Sequence, residues 1–410
     1  MARVLTKNEF GVWILFTSIV SILETLREGF IKQPFIAFLG SANGDDRNNI
    51  GSAAFLLNTL YSVVISLGIL AVAYPLENFW AASQLGLILK IYAISNLVFI
   101  PFSHFEYLQQ SKLDFKGIFL SHFVRSLTLT IFVVGSYLFN KEISLLSLAW
   151  VSLVGNIIGA TISMIWGWQW KHVFKKMPMR NIMDMVKFGR FSFGTNLASL
   201  SIRNMDSWML GKMLSTESVA LYNPAIRISN LVEIPTLTVA NLVFPKMAQG
   251  FGGSDHSYAS ELYERSVGLL LAIMIPVSIS MFLFSDWIVW IVAGKNYAES
   301  GYLLQITAFY TLFIPFGRQF GVLLDAVRKP EINFYFILGT AILNIVITYY
   351  FIMQWGIAGA AYGTLITYFM RFVVQQIVLN KLLGISTLRV FNCSIDFYGK
   401  GFALLKSMTK

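Results

Sequence analysis

The stretch Lys212–Arg227, KMLSTESVALYNPAIR, contains a short polar connector followed by a small, an aliphatic and an aromatic residue. The chain begins with a similar pattern, LTKNEFGVW, at Leu5–Trp13. The first residues of the two copies, Leu5 and Leu214, are 209 positions apart. Few residues are identical between the copies, but their character matches position by position. The pattern therefore predicts that the chain consists of two similar halves.

The same offset relates Glu24 to Glu233, and each lies inside the apolar segment that follows its connector. Two halves of six helices with the same orientation, flanking a central cavity, form a known transporter architecture. An apolar segment leads into the second connector, but only Met1–Val4 precedes the first. The sequence therefore predicts a further apolar helix of about 20 residues upstream of Met1. The alternative to two related halves is that the match has no meaning, because any two helical hairpins resemble each other.

Apolar residues dominate the chain and occur in long runs. Of the 410 residues, 56% are hydrophobic and 13% are charged, whereas soluble domains carry about 25% charged residues. In lipid such runs must be helices, because every backbone polar group needs an internal partner. The sequence thus predicts an all-α polytopic membrane protein with two pseudo-symmetric lobes around a central cavity. Its 11 predicted spans are 10–38, 50–74, 84–105, 115–139, 143–168, 190–211, 220–245, 265–284, 299–322, 333–353 and 356–380.

The distribution of Lys and Arg predicts the orientation of these spans. Alternate connections hold ten and five basic residues, and the richer set includes the loop WKHVFKKMPMR. Because cytoplasmic loops carry the excess of basic residues, that set and the C-terminus are predicted to be cytoplasmic. This bias also accounts for the net charge of +10 without a nucleic-acid partner. The predicted domains are an N-terminal lobe at 1–170, an amphipathic cytoplasmic linker at 171–188, a C-terminal lobe at 189–385 and a basic cytoplasmic tail at 386–410.

Catalytic and metal-binding motifs are hard to find in this sequence. The single cysteine excludes a disulfide framework, and the four histidines show no ligand spacing. No G-x-x-x-x-G-K-[ST] run is present, and no loop is long enough for a catalytic domain. We expect no cofactor, no metal and no enzymatic activity.

Ionisable residues inside the predicted spans are the main functional signal. Each costs roughly 2.5–3.5 kcal/mol near the bilayer centre, so such residues usually face a partner or a cavity. One interpretation is local ion pairing of Glu24 with Arg27 and of Arg203 with Asp206, with Arg318 and Arg371 reaching the interface. The other is that three polar helix faces line a wet cavity. The candidate cavity residues are Arg27, Lys32, Arg125, Asn196, Arg203, Arg227 and Arg318, and the candidate pairing or coupling residues are Glu24, Glu28, Asp206 and Glu233.

Several stretches resemble a known family. FGTNLASLSIRNMDSWM at Phe193–Met209, followed by LGKMLSTESVALYNPAIRISNLVEIPTLTVANLVFPKMAQ at Leu210–Gln249, resembles the seventh and eighth helices of polysaccharide-export proteins. These are the Wzx-type flippases of the MOP superfamily, related to MATE exporters and lipid II flippases. GIAGAAYGTLI at Gly356–Ile366 and ARVLTKNEFGVW at Ala2–Trp13 resemble the family's late helix and the end of its first helix. Asp206, Tyr222, Ala225, Arg227 and Pro245 match the family pattern.

The resemblance implies a two-lobe bundle of twelve helices in the bacterial inner membrane. Such a protein moves a polyprenyl-pyrophosphate-linked oligosaccharide, such as an O-antigen, capsule or exopolysaccharide unit, to the outer leaflet by alternating access. By analogy Arg27, Lys32, Arg203 and Arg227 hold the pyrophosphate or acidic sugars. Glu24, Asp206 and Glu233 pair with them or couple to an ion. The implied partners are the lipid-linked glycan, membrane lipids, and polymerase and chain-length proteins of the same pathway.

Three alternatives stay open at the sequence level. A MATE-like cation-coupled antiporter is expected to have an acidic, aromatic cavity, whereas the polar faces here mix Arg with Glu. An O-antigen polymerase or ligase is expected to need a large outer loop, and none is that long. A membrane component of a glycan-assembly complex that does not itself transport is the third.

Overall fold

A computed structural model describes residues 1–41, 45–112, 114–170, 179, 182–187, 204–250, 257–326 and 330–408. The regular secondary structure of the described residues is helical, which confirms the predicted all-α class. The chain divides into two compact units. The N-terminal unit comprises Met1–Asn204 with Ser215–Ala220, and the C-terminal unit comprises Met205–Leu214 with Leu221–Lys410. The predicted lobe boundaries stay predictions, and most of the predicted linker lies outside the described residues.

The N-terminal unit begins with a capped helix. Thr6 accepts a hydrogen bond from the Glu9 backbone, and the Glu9 side chain accepts one from the Thr6 backbone, so both ends of a capping box are present. One turn of π-helix, Glu28–Lys32, then shifts the register of the following residues. The helices of this unit are α1 Lys7–Arg27, α2 Gln33–Ser41, α3 Asp45–Trp80, α4 Leu85–Ser111, α5 Lys116–Leu138 and α6 Leu145–Gly167.

Helix α4 is the centre of the N-terminal unit, since it packs extensively against both α3 and α6. A core of α2, α3 and α4 residues that includes Phe35, Ala53 and Leu108 closes one end of the unit. The outer helix α5 has the opposite character, with Phe119, Ile131 and Leu138 each more than 60% exposed. Such exposed apolar surface fits contact with lipid rather than water.

In the C-terminal unit, the first described helix covers 204–213 (α7). The others are α8 Thr216–Leu231, α9 Glu233–Gly250, α10 Ser257–Leu283, α11 Ser285–Val292, α12 Ser300–Thr311, α13 Ile314–Ala326, α14 Pro330–Trp355, α15 Ile357–Leu383 and α16 Thr387–Met408. Two long pairs, α14 with α15 and α10 with α16, account for much of its packing.

Eight helices of the described residues are long and apolar enough to cross a membrane. They correspond to eight of the predicted spans. Of the other three, 190–211 lies mostly outside the described residues, and 220–245 and 299–322 are each divided between two helices. Pro235 and Pro315 explain the division, because each lies in the first turn of its second helix, where a missing N–H is tolerated.

The segment predicted as a basic tail, 386–410, contains helix α16, which packs along α10. Its Tyr398 hydroxyl donates to the Ala272 carbonyl at 2.6 Å. A Cβ on Gly268 would lie 2.6 Å from the Cβ of Cys393, so the missing side chain lets the two helices approach. The cytoplasmic position of this segment stays a prediction.

Candidate functional site

In the N-terminal unit, Glu24 forms an ion pair with an arginine of another helix. Arg125 Nη2 on α5 lies 3.1 Å from Glu24 Oε1 on α1. The Arg125 guanidinium also lies over the Phe99 ring, 4.7 Å from its centroid, a favourable cation–π geometry. Both charged groups line a cavity of about 250 Å³ whose walls include Trp13 and Tyr92. The expected local pair of Glu24 with Arg27 is replaced by this pair between helices.

Arg27 is buried at 2% exposure and has no carboxylate partner among the described residues. One Nη2 hydrogen bond goes to the Asn96 side-chain oxygen on α4. The rings of Tyr61 and Phe99 each lie 5.4 Å from its guanidinium carbon. Its Nε and Nη1 atoms have no hydrogen-bond partner in the part of the chain that the structure describes. Arg27 therefore retains unused hydrogen-bond donors.

Lys32 lies at the end of the π-helical turn, in a small charged network. Its Nζ atom is 3.5 Å from Glu28 Oε1 and 3.7 Å from Glu106 Oε1. Glu106 Oε2 is in turn 3.2 Å from His122 Nε2. Glu106 and His122 could not be predicted as site residues, because neither belongs to a polar stripe and the packing of α4 on α5 brings them together.

In the C-terminal unit, Glu233 at the start of α9 pairs with Arg318 on α13, with Nη2 and Oε1 2.5 Å apart. A second arginine, Arg371, lies on α15. Among the described residues its Nη2 donates to the Gly317 carbonyl at 3.5 Å, and its buried Nε has no hydrogen-bond partner. Arg318 therefore has a carboxylate partner, whereas Arg371 has none among the described residues. From its sequence position Arg371 was expected at the membrane interface and not in a site.

Arg227 on α8 is exposed, and among the described residues a neutral amide of its own helix is what holds it. Its Nε donates to Asn223 Oδ1 at 2.7 Å, one turn earlier. The predicted polar stripe of this helix is thus present as a side-chain contact between i and i+4 residues.

Asp206 on α7 is buried and is surrounded by hydroxyl and amide groups. Its Oδ2 atom accepts hydrogen bonds from the Tyr222 hydroxyl at 2.9 Å and from Thr364 Oγ1 at 2.6 Å. Thr364 Oγ1 also lies 3.4 Å from Asn344 Nδ2 on α14. Among the described residues, Asp206 Oδ1, Asn344 Oδ1 and Thr348 Oγ1 are buried without hydrogen-bond partners. Two helices, α7 and α14, thus supply oxygen atoms that remain available as acceptors.

The two connectors that suggested the repeat contact each other. Thr216 Oγ1 hydrogen-bonds to Asn8 Oδ1. A side chain at Gly11 would collide with the Thr216 carbonyl group, which explains the glycine in the first copy. These residues belong to the N-terminal unit, which includes Ser215–Ala220.

Two of the predicted site residues, Asn196 and Arg203, lie outside the described residues. The roles assigned to all the candidates, in binding or in coupling, stay predictions. What the structure adds is a division among the arginines inside helical segments. Arg125 and Arg318 are paired with carboxylates, whereas Arg27, Arg227 and Arg371 are held by neutral oxygens.

These features define a multi-pass helical membrane protein with charged residues inside its spans. Residues 1–301 match the family described as "Polysaccharide biosynthesis protein". The chain therefore belongs to this family. One relative is the "Probable low-salt glycan biosynthesis flippase Agl15" of Haloferax volcanii, which is 22% identical over 230 residues, 56% of this chain and 49% of that protein. The matched region therefore spans about half the length of this curated relative.

Solved structures show the same fold. The chain superimposes on "Lipid II flippase MurJ, inward closed conformation" with a TM-score of 0.77, covering 98% of this chain and 87% of that one at 14% identity. It superimposes equally on an inward-facing MATE-family multidrug transporter of the MOP superfamily, with a TM-score of 0.77, 94% and 93% coverage and 13% identity. At such low identity the likeness concerns the fold alone.

Proposed function

We propose that this protein is a flippase that moves a polyprenyl-pyrophosphate-linked oligosaccharide across the bacterial inner membrane by alternating access. Its family is named for polysaccharide biosynthesis, and relatives of similar sequence or fold are named as flippases of a glycan or of lipid II. In this proposal the C-terminus is cytoplasmic, the cargo is an O-antigen, capsule or exopolysaccharide unit, and the step is transport without covalent chemistry.

The observation that carries the proposal is the set of three arginines without carboxylate partners. A guanidinium in a membrane-spanning helix is costly unless it meets an opposite charge. Arg27, Arg227 and Arg371 meet only amide or carbonyl oxygens among the described residues. A planar guanidinium binds two phosphate oxygens at once. A pyrophosphate cargo would therefore supply the missing negative charge.

Asp206 is proposed as the coupling residue. A small hard cation such as Na⁺ prefers carboxylate, amide and hydroxyl oxygens, and the buried acceptors of Asp206, Asn344 and Thr348 are of these types. Binding of a cation beside Asp206 would draw α7 and α14 together. Ion binding in the C-terminal unit would then change the energy of one transport state relative to the other.

The competing function is cation-coupled export of a small molecule, as suggested by the fold shared with the MATE transporter. The excess of guanidiniums disfavours a cationic drug as cargo, because like charges repel in a medium of low dielectric constant. The two functions are distinguished by purified protein in proteoliposomes, given either a fluorescent polyprenyl-pyrophosphate disaccharide or a fluorescent organic cation. We expect movement of the pyrophosphate lipid only. Movement of the cation without the lipid would contradict the proposal.

A further inference from the structure

The groove between α10 and α16 lies where α10 changes from polar to apolar. The first ten residues of α10, SYASELYERS, contain three of its charges, and the apolar run begins at Val267. Helix α16 follows this change, since the Ser386 N–H donates to Glu264 at 2.9 Å and Tyr398 reaches Ala272. The two helices therefore run side by side from the polar end of α10 into its apolar part, over about 12 Å of helix.

Helix α16 exposes an apolar stripe along this path. Its members follow one another at intervals of three or four residues, so they share one face of the helix. Val390 and Ser394 on another face are buried against α10. An amphipathic helix with such a face lies at the boundary between headgroups and acyl chains. The exposed members are Leu388 at 76%, Phe391 at 44%, Ile395 at 66% and Tyr398 at 46%.

A cavity of about 520 Å³ lies between α10 and α16, on another face of α16 from this stripe. Its wall carries charges of both signs, three carboxylates and two guanidiniums. It is lined by Glu261, Glu264, Arg265, Arg389, Asn392, Cys393, Asp396 and Phe397.

These charges are available to a ligand. Arg389 is 67% exposed and its Nη1 atom lies 3.7 Å from Glu264, which is itself fixed by the Ser386 N–H. Arg265 and Glu261 form an exposed pair at 2.5 Å, and exposed pairs contribute only about 0–1 kcal/mol, so a ligand can replace them. Asp396 makes no hydrogen bond or ion pair with another described residue.

We propose that this cavity binds the headgroup of a phospholipid that carries both a phosphate and a primary amine, as phosphatidylethanolamine does. Arg265 and Arg389 bind the phosphate, and Asp396 and Glu264 accept hydrogen bonds from the ammonium, while the exposed apolar stripe keeps α16 at the level of the headgroups. This site belongs to the protein whatever cargo it carries, so it does not depend on the flippase proposal.

The charge pattern selects this lipid over the two common alternatives. A trimethylammonium headgroup has no N–H to donate to the carboxylates. An anionic glycerol headgroup satisfies the arginines but leaves Asp396 without a counter-charge, and a carboxylate near the hydrocarbon region is costly without a partner. Of these three headgroups, the zwitterionic one with a primary amine alone pairs with both sets of charges.

The first test is lipid retention. Protein is extracted from nanodiscs of equal parts phosphatidylethanolamine, phosphatidylcholine and phosphatidylglycerol, and retained lipid is counted by native mass spectrometry. We expect phosphatidylethanolamine to be retained over the other two, and Asp396→Asn to reduce its retention about tenfold, as expected for loss of one charge-assisted contact. The control Glu331→Gln, at an exposed position on α14, should leave retention unchanged. Equal retention of the three lipids, or preference for the anionic one, overturns the proposal.

A second test uses the wild-type protein, so that it does not depend on folding of a variant. Cys393 lines the cavity and is the single cysteine of the chain. Burial, and then the carboxylates of Glu264 and Asp396, raise the pKa of its thiol, so rates of maleimide reaction are compared at one fixed pH. We expect vesicles with phosphatidylethanolamine to slow this reaction severalfold relative to pure phosphatidylcholine. Identical rates in both membranes would contradict occupancy of the cavity.

Discussion

Glu24 and Glu233 occupy matching positions in the two halves, 209 residues apart, yet their cations come from different places. Glu24 pairs with Arg125 on α5, whereas Glu233 pairs with Arg318 on α13. Helix α5 follows the connection that contains Lys112, whereas α13 precedes the connection that contains Arg328 and Lys329. In both units an arginine therefore neutralises the glutamate, but that arginine comes from helices in different positions of the two halves.

The arginines without carboxylates differ in a second way. Arg27 is buried and bonded to Asn96 on another helix, so it is fixed within the N-terminal unit. Arg227 is exposed and bonded to Asn223 on its own helix. Release of Arg227 costs one local hydrogen bond, of about 0.5–1.5 kcal/mol, whereas release of Arg27 disrupts the packing of three helices. Arg227 is thus the better candidate to contact a passing cargo.

The largest effect is expected from Arg227→Ala. Loss of a contact with phosphate should reduce transport of a pyrophosphate-linked glycan by about tenfold or more, while the amount of folded protein stays the same because the side chain is exposed. Arg227→Lys keeps the charge but not the planar fork, and an intermediate rate is expected. The measurement is initial transport rate in proteoliposomes. A normal transport rate in Arg227→Ala would show that Arg227 does not contact the cargo.

Arg27→Ala serves as the contrasting change in the N-terminal unit. It leaves the Asn96 oxygen without its arginine donor and a cavity between aromatic rings, so we expect a loss of about 2–4 kcal/mol in the free energy of unfolding. Thermal unfolding measured on purified protein checks this. Unchanged thermal stability together with lost transport would instead indicate that Arg27 contacts the cargo.

The second largest effect on transport is expected from Asp206→Asn. The amide removes the negative charge but keeps most of the volume. If transport depends on Na⁺, the apparent affinity for Na⁺ should therefore fall about tenfold. Tyr222→Phe is the matched control, since it removes one donor and retains the carboxylate. Equal Na⁺ dependence in the wild type and Asp206→Asn would exclude Asp206 as the coupling residue.

A smaller effect is expected when the paired carboxylates are neutralised. Glu24→Gln or Glu233→Gln leaves a partly buried arginine without its counter-charge, which should destabilise the protein by about 1–3 kcal/mol. The double exchange Glu24→Arg with Arg125→Glu restores opposite charges and should recover part of the loss, as measured by thermal unfolding in the same detergent. Lack of any recovery would mean that the Glu24–Arg125 contact is not the source of the loss.

The smallest effect is expected at the connectors. Thr216→Val removes the hydrogen bond to Asn8 but keeps the shape, which should cost about 0.5–1.5 kcal/mol. Gly11→Ala should cost more, because its new Cβ meets the Thr216 carbonyl. The melting temperatures of the two variants show which substitution destabilises the protein more. The reverse order would show that the close approach at Gly11 relaxes without cost.

The sequence was sufficient for the helical class, because runs of apolar residues long enough to cross a bilayer leave the backbone no alternative to a helix. It did not predict the breaks before Pro235 and Pro315, because apolar composition continues across both positions. The importance of Arg371 was also hidden, since only the packing of α13 against α15 places it beside Gly317. Asp206 was predicted as a site residue, but its hydroxyl partner Thr364 lies 158 residues further along the chain and could not be predicted from sequence spacing.

Arginines without carboxylate partners are proposed to receive the pyrophosphate of the cargo. The decisive measurement is the affinity of purified protein for a short-chain polyprenyl-pyrophosphate disaccharide and for the matching monophosphate, in the wild type and in Arg227→Ala. We expect the wild type to prefer the pyrophosphate by about tenfold or more, as one additional charge-assisted contact implies, and Arg227→Ala to lose this preference. Equal affinity of the wild type for both lipids would contradict it.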